Sequence, residues 1–153
     1  MTTQQVVNQI IANGKTYTKN YLDAMPENGY NFKPTPEIRS FAQQMLHLAD
    51  ATYYFICAAS GRPSPLGPVS AEQTIAPTKE ATTKAVMDSY DFFIEAVNGI
   101  TAEQLLETVN FGDLEVPKAA AIAKAYEHQA HHRGQAAIYL RLQGVVPSNG
   151  IIF

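Results

Sequence analysis

The sequence predicts an all-α protein built as a four-helix bundle. Four windows of about twenty residues carry apolar side chains at the three- and four-residue spacing of a helix. All nine prolines fall in loops or at helix starts, where proline does not interrupt a helix. Helices of this length pack by default as a bundle, whose inward-facing side chains can build a ligand site. With 153 residues, 46% hydrophobic and 16% charged, we expect a single domain over residues 1–153.

The first half of the chain is predicted to hold two of the long helices. The first runs from Thr3 to Ala24, with Thr2 or Thr3 as its N-cap. Prolines and a glycine make residues 25–36 a loop. The second helix is predicted to begin at Thr35-Pro36-Glu37, which offers a capping threonine, a proline in the first helical position and an acid in the first turn. It is expected to end near Ser60-Gly61.

The connection from Ser60 to Pro77 is the longest in the chain and shows neither a helical nor a strand period. A loop of this length in a compact domain is either a functional cover or slack between distant ends, and the sequence leaves both readings open. The third helix is predicted to begin after Pro77, with Thr78 as its cap, and to end at Asn98-Gly99.

A short, mixed segment is predicted before the last helix. Thr101 to Gln104 has the pattern of a capping box, which predicts a short helix through about Glu107. Residues 109–116 alternate loosely around Gly112-Asp113 and predict a turn of extended chain over one end of the bundle. Pro117 opens the last long helix, which should reach Gly144. The apolar tail, residues 145–153, is expected to pack back on the bundle.

Charge and cysteine content exclude several classes of function. The net charge is −3 and the pI is about 5.7, without a stripe of lysine or arginine, which argues against a nucleic-acid partner. A single cysteine, Cys57, excludes an intramolecular disulfide and fits a reducing compartment. No segment approaches the ~18 apolar residues of a membrane span, and the N-terminus does not resemble a signal peptide. We therefore expect a cytoplasmic protein without a membrane partner.

The histidines predict a metal site. Three of the four lie within five residues, in the stretch Glu127-His-Gln-Ala-His-His-Arg-Gly-Gln135. His128 and His132 are one turn apart on one helix face, the spacing at which two imidazoles can reach one metal ion. His47, on the second helix, could complete a three-nitrogen site if the two helices face each other across the bundle.

Each of these residues also has a plainer interpretation. A lone histidine such as His47 is more often hydrogen-bonded or solvent-facing than a ligand. His131 lies three residues after His128 and could also face inward. Gln135 could orient a ligand or simply hydrogen-bond across the bundle. Asp50, one turn after His47, could accept the ring N–H that the metal does not use, or it could be an exposed helix acid.

Three stretches resemble a known family: PEIRSFAQQMLHLA from Pro36, HQAHHRGQ from His128 and YLRLQGVVP from Tyr139. Over nearly its whole length the chain resembles the DinB/YfiT family of proposed metalloenzymes. The resemblance implies an up-down-down-up four-helix bundle and a divalent metal, usually nickel or zinc, held by His47, His128 and His132. It favours His132 over His131 as the ligand and leaves His131 as a neighbouring or supporting group.

A three-histidine site suggests a class of chemistry. Three imidazoles leave at least one coordination position open on such an ion, where a bound thiol is deprotonated and bound water has a pKa of about 7. Because the resemblance implies thiol-dependent transferases and isomerases among the relatives, the leading hypothesis is a metal-dependent transferase that joins a low-molecular-weight thiol to a small-molecule substrate. The alternatives are a metal-dependent hydrolase and a non-catalytic, stress-linked metal-binding protein. A homodimer is expected by analogy with relatives.

Overall fold

Four long helices make up most of residues 1–150, the part of the chain that this computed structural model describes. The helices are α1 (Thr3–Ala24), α2 (Phe41–Ser60), α3 (Ala71–Thr74), α4 (Lys79–Asn98) and α5 (Lys118–Leu142). A hairpin of β1 (Thr108–Phe111) and β2 (Leu114–Pro117) lies between α4 and α5. The predicted all-α bundle with a short extra helix and an extended segment before the last helix is therefore confirmed.

Helices α1 and α4 lie side by side and run antiparallel. Near one end Asn8 Nδ2 donates to Asn98 Oδ1 at 2.6 Å, and further along the pair the hydroxyls of Thr18 and Tyr90 share a hydrogen bond of 2.7 Å. The residue numbers therefore rise on one helix as they fall on the other. Helices α2 and α5 also run antiparallel, and their contacts form the site described below.

Helices α2 and α4, in contrast, run parallel. Leu46 of α2 packs with Ala85 of α4. At higher residue numbers on both helices, the ring of Tyr53 lies 5.2 Å from that of Phe92. Two parallel neighbours need a connection that returns along the bundle, and residues 61–78 make this return. The up-down-down-up topology that the family resemblance implied is confirmed.

The core lies between the four long helices and contains large aromatic and aliphatic side chains. Burial of these apolar surfaces is the main force that holds the bundle together. Its largest fully buried apolar members are Tyr30, Tyr90, Phe41, Phe93, Leu22, Met25, Met45, Leu46, Leu48, Ile56 and Leu140.

Helix α2 begins at Phe41, so the prediction of a start at Pro36 was wrong. Ser40 is the N-cap: its hydroxyl accepts from the Gln43 N–H at 3.2 Å, and the Gln43 side chain accepts from the Ser40 N–H at 2.9 Å. This reciprocal pair satisfies two backbone donors at once, which the Thr35 signal does not offer.

The segment before α2 is instead tied to the bundle as turns. The Ala42 N–H donates to the Tyr30 carbonyl at 2.9 Å, and the Tyr139 hydroxyl of α5 donates to the Arg39 carbonyl at 2.8 Å. These contacts hold Arg39 beside the bundle rather than inside a helical turn.

The structure adds detail to three other predictions of local structure. The connection from Ser60 to Pro77 contains the one-turn helix α3, which is too short to show a periodic sequence pattern. The loop predicted for residues 25–36 includes a 3₁₀ turn at Glu27–Gly29. The short helix predicted from Thr101 is a 3₁₀ turn at Gln104–Leu106.

Other boundaries follow the sequence signals. Thr78 caps α4 through its hydroxyl, which accepts from the Ala81 N–H at 3.2 Å. The hairpin turns at Gly112, whose φ of 59° is favourable for glycine. The tail returns onto the bundle as expected, with Val145 against the core and the Ser148 carbonyl 3.5 Å from the Tyr21 hydroxyl. The end of the predicted tail, residues 151–153, lies outside the described residues. None of the helices in residues 1–150 is both long and apolar enough to cross a membrane.

The start of α2 is testable with two alanine substitutions. We expect Ser40→Ala to lower the free energy of unfolding by about 1 kcal/mol, because an N-cap is lost. Thr35→Ala should change it by less than about 0.5 kcal/mol, as at an ordinary surface position. Urea denaturation in the presence of a chelator measures both. A larger loss in Thr35→Ala than in Ser40→Ala would contradict the observed boundary.

Candidate metal centre

Three of the four histidines come together between α2 and α5. The ring centroid of His47 lies 4.8 Å from that of His132 and 5.4 Å from that of His128, and the two α5 rings are 4.2 Å apart. Each ring offers one nitrogen such that the three nitrogens lie within 4.8 Å of one another. The structure thus brings together the three histidines that the sequence singled out, and they could hold a metal ion.

Interhelical hydrogen bonds set the register that makes this possible. On one side of His47, Gln44 of α2 contacts His132, with Nε2 2.6 Å from Nδ1. On the other side, Gln129 Nε2 donates to the Thr52 hydroxyl at 3.0 Å. Because these side chains are buried, an unpaired polar group would be costly, and the pairing discourages a slip of one helix along the other.

The nitrogen spacing approaches that of a single-ion site. Two nitrogens that ligate one tetrahedral zinc ion at about 2.0–2.1 Å are about 3.4 Å apart. His128 Nε2 and His132 Nε2 already lie 3.0 Å apart. The three nitrogens lie within 4.8 Å of one another, so the widest pair has to close by up to about 1.4 Å, which changes in the side-chain torsions of the imidazoles can supply.

The three imidazoles are held in their neutral form. Burial, followed by the charges of the other histidines, lowers the pKa of His132 to about 3 and that of His128 to about 4. Burial and the neighbouring Arg39 guanidinium lower the pKa of His47 as well. At neutral pH every ring therefore keeps a nitrogen lone pair, as metal binding requires.

A chain of side-chain amides supports His132. The Gln44 amide contacts both His132 and the Gln135 amide, and Gln135 Nε2 lies 2.8 Å from His131 Nε2. The atom that faces His132 Nδ1 is Gln44 Nε2, so a rotation of this amide by half a turn is needed to put its oxygen there; the oxygen would then accept the Nδ1–H of His132 and leave the Nε2 lone pair free to face the other histidines. Gln135 thus hydrogen-bonds across the bundle. The exposed His131 ring is the last member of this row of hydrogen-bonded side chains.

Asp50 does not take the role expected from its spacing. Its carboxylate accepts from the Ser70 hydroxyl at 2.6 Å and from the N–H groups of Ala71 and Glu72 at 2.6 and 3.1 Å, so it caps α3. Neither of the two alternatives that the sequence left open for Asp50 is observed: the carboxylate is half-buried rather than exposed, and its hydrogen bonds go to the start of α3 rather than to the His47 ring. The carboxylate that the structure places beside this ring is that of Glu72, whose Oε2 lies 3.6 Å from His47 Nδ1.

Sequence reasoning missed Glu72, Arg39 and Gln44 as parts of the site. Glu72 lies 25 positions from His47 in a connection without periodicity, and no spacing rule links the two. Arg39 was assigned to a helical turn that does not form. Gln44 lies three residues before His47, and a glutamine at this spacing from a histidine is not a distinctive signal.

Two surfaces of different character flank the histidines. On one side is a cleft of about 670 Å³ with Arg39, Glu72, Gln44, Gln135 and Tyr139 among its lining residues. On the other side is an aromatic wall, formed by Tyr54, Phe55 and Phe111 with ring centroids 5.3–5.6 Å apart. The Phe55 ring lies 6.0 Å from that of His128, so the wall reaches the histidines directly.

The DinB superfamily model matches residues 13–136, a range that includes all three histidines. The chain belongs to the DinB superfamily. The DinB fold is also seen in solved structures. A DinB-like protein from Bacillus cereus matches with a TM-score of 0.83 at 16% identity, over 95% of each chain.

Two further solved structures share this DinB fold. A DinB-like protein from Bacillus subtilis matches with a TM-score of 0.75 at 17% identity, over 95% of this chain and 99% of that one. A conserved protein from Enterococcus faecalis matches with a TM-score of 0.72 at 18% identity, over 93% and 97%. No curated protein gives a significant match. At these identities the solved relatives establish the fold alone.

The lowered histidine pKa values predict how the stability of the metal-free protein depends on pH. In the unfolded chain a histidine titrates near pH 6.5, whereas folded His128 and His132 stay neutral down to about pH 4 and 3. The unfolded state therefore binds more protons between these values, and the free energy of unfolding should fall as the pH is lowered from 7 to 5.

Urea denaturation of chelator-treated protein at several pH values measures this dependence. Proton uptake on unfolding by these two histidines should rise from about 0.5 at pH 7 to about two at pH 5, with a contribution from His47 in addition. A double variant His128→Ala/His132→Ala should lose most of the dependence, and His131→Ala, which removes an exposed histidine, is the matched control. A free energy of unfolding that rises as the pH is lowered through this interval would contradict the neutral assignment.

Proposed function

We propose that this DinB-superfamily protein binds a divalent metal through His47, His128 and His132 and acts as a metal-dependent transferase that uses a low-molecular-weight thiol. The convergence of three neutral imidazoles from two helices is the observation that carries the proposal. Imidazole nitrogens suit both nickel and zinc, so the proposal includes either ion.

An ion held by three neutral ligands would keep its full positive charge and would have an open coordination position. A thiol or water bound at that position would lose its proton near neutral pH. The protein has to exclude water, hold the ligands in the correct tautomer and place the substrate. The buried contact between Gln44 and His132 can hold the His132 ring, on α5, in the correct tautomer.

The flanking surfaces support a reaction between two different molecules. We assign the cleft beside Arg39 and Gln135 to the thiol, whose polar groups can hydrogen-bond to these two side chains. The aromatic wall suits the apolar part of an electrophile, because Tyr54 is 60% exposed and can contact a bound molecule. The histidines lie between these two surfaces, so both reactants could approach the same ion.

A reducing environment fits this assignment. A low-molecular-weight thiol is held reduced in the cytoplasm, and the one cysteine of the chain, Cys57, has no disulfide partner in the sequence. Burial raises the pKa of the Cys57 thiol, which makes it a poor nucleophile at neutral pH. We therefore propose a cytoplasmic protein in which the reacting sulfur comes from a second molecule.

The ligand assignment predicts a ranking of histidine variants. We expect His47→Ala, His128→Ala and His132→Ala each to reduce zinc or nickel affinity by more than about 100-fold, since loss of an outer partner alone costs 10–100-fold. His131→Ala should reduce it by less than 10-fold, because this exposed ring lies outside the group of three and hydrogen-bonds to the supporting amide of Gln135. Competition with a chromogenic chelator, on untagged protein, measures the affinities. Loss of binding in His131→Ala but not in His132→Ala would show that the wrong member of the pair was chosen.

The thiol assignment predicts a spectroscopic change. Addition of a low-molecular-weight thiol to the cobalt-substituted protein should produce a sulfur-to-metal charge-transfer band, and the band should be absent in His128→Ala. The same experiment in Cys57→Ser shows that the sulfur is not the protein's own. If none of several thiols perturbs the cobalt spectrum, the transferase assignment fails and hydrolysis or metal binding without turnover takes its place.

A further inference from the structure

Glu72 is the acidic group that faces the His47 ring. Its Oε2 lies 3.6 Å from His47 Nδ1, and within the described residues His47 is the proposed ligand that has a carboxylate oxygen within 4 Å of a ring nitrogen. We propose that Glu72 positions His47 for metal binding by accepting its Nδ1–H, and that helix α3 holds Glu72 in place for this purpose. This inference rests on the proposed metal site and adds a positioning residue to it.

Helix α3 is anchored to the same helix that carries His47. Asp50, one turn after His47 on α2, accepts three hydrogen bonds from residues 70–72. Ala71 is completely buried beside Leu46 and Ala85. A polar anchor and an apolar anchor thus fix one turn of chain over α2, and they explain why a four-residue helix forms inside an otherwise irregular connection.

Arg39 holds the Glu72 carboxylate from the other side. Its Nε donates to both oxygens, at 3.0 and 3.1 Å, and its own backbone carbonyl is fixed by the Tyr139 hydroxyl. A carboxylate has about four acceptor sites, so this ion pair leaves Glu72 able to accept another N–H. The side chain of Glu72 is therefore held on two sides before any ion binds.

The pair of Arg39 and Glu72 offers His47 Nδ1 two opposite partners. Arg39 also has an Nη2 atom 3.4 Å from Nδ1, and a guanidinium can only donate. If Arg39 were the sole partner, Nδ1 would accept and the ring proton would lie on Nε2, the nitrogen left for the metal. Glu72 Oε2 lies just beyond hydrogen-bond distance of Nδ1, at 3.6 Å; when the two close to hydrogen-bond distance, the carboxylate accepts and selects the tautomer with a proton on Nδ1 and a lone pair on Nε2.

The other two histidines are supported differently. His132 Nδ1 is paired with the neutral amide of Gln44, whereas His128 Nδ1 is buried without a hydrogen-bond partner among the described residues. A charged acceptor binds an N–H more strongly than a neutral one. Hence the removal of Glu72 should affect the site more than the loss of a neutral contact would.

Three single variants and one matched control test the role of Glu72. Glu72→Ala should lower zinc affinity by about 10–100-fold, as the loss of an outer partner typically does. Glu72→Gln should lower it less, because the amide oxygen still accepts. Asp50→Ala, which leaves Glu72 itself intact but removes its anchor, should also weaken binding. Gln73→Ala changes an exposed neighbour in the same helix and should leave the affinity unchanged.

A second measurement on the metal-free protein separates tautomer selection from a general structural effect. Long-range ¹H–¹⁵N correlation spectra distinguish Nδ1–H from Nε2–H histidine. We expect His47 to be the Nδ1–H form in the wild type and to shift toward the Nε2–H form in Glu72→Ala, with no shift in Gln73→Ala.

The outcomes distinguish this inference from the proposed function. If Glu72→Ala keeps the wild-type tautomer, or binds zinc as tightly as the wild type, the role of Glu72 is refuted while the three-histidine site stands. If the wild type binds no metal, the proposed function fails, and the role of Glu72 in metal binding fails with it. A lower affinity together with the tautomer shift supports both.

Discussion

The antiparallel contact between α2 and α5 is the interaction on which the rest of the site depends. One histidine comes from the first helix and two from the second, so a slip of one helix turn would separate His47 from its partners by about 5 Å. Buried hydrogen bonds on both sides of the histidines resist this slip, through Gln44 at one end and Thr52 at the other. A polar seam inside an apolar bundle thus specifies the register as well as the site.

The same seam explains why the histidines are neutral. They lie close together in partly buried positions, where a protonated imidazole would lose hydration and would meet two other rings. The cluster also carries an unfavourable feature, since the buried Nδ1 of His128 has no hydrogen-bond partner within residues 1–150. Such local conflicts with simple packing are expected at functional sites, where selection for stability alone would have replaced them with apolar residues.

Local signals in the sequence predicted the fold and the three histidines well. His128 and His132 are related by helical spacing, and the four long helices are marked by prolines and caps. The family resemblance supplied the choice of His132 over His131 and the bundle topology. The start of α2 was missed because Thr35 and Ser40 are both good caps, and only contacts with the preceding loop and with α5 decide between them.

The supporting residues were less accessible to sequence reasoning, because tertiary contacts place them. Asp50 has the spacing of a partner for His47, but it is used to cap α3, and that cap brings Glu72 to the ring instead. Whether Asp50 or Glu72 lies beside the His47 ring depends on how the connection between α2 and α4 folds back. No periodicity in residues 61–78 reveals this path.

The metal centre itself is the central claim, and anomalous diffraction from crystals of untagged, zinc- or nickel-loaded protein tests it most directly. The account predicts one strong peak per chain, about 2.0–2.1 Å from a nitrogen of each of His47, His128 and His132. Absence of a peak between α2 and α5 at full metal loading, or a peak ligated by His131 in place of His132, would contradict it.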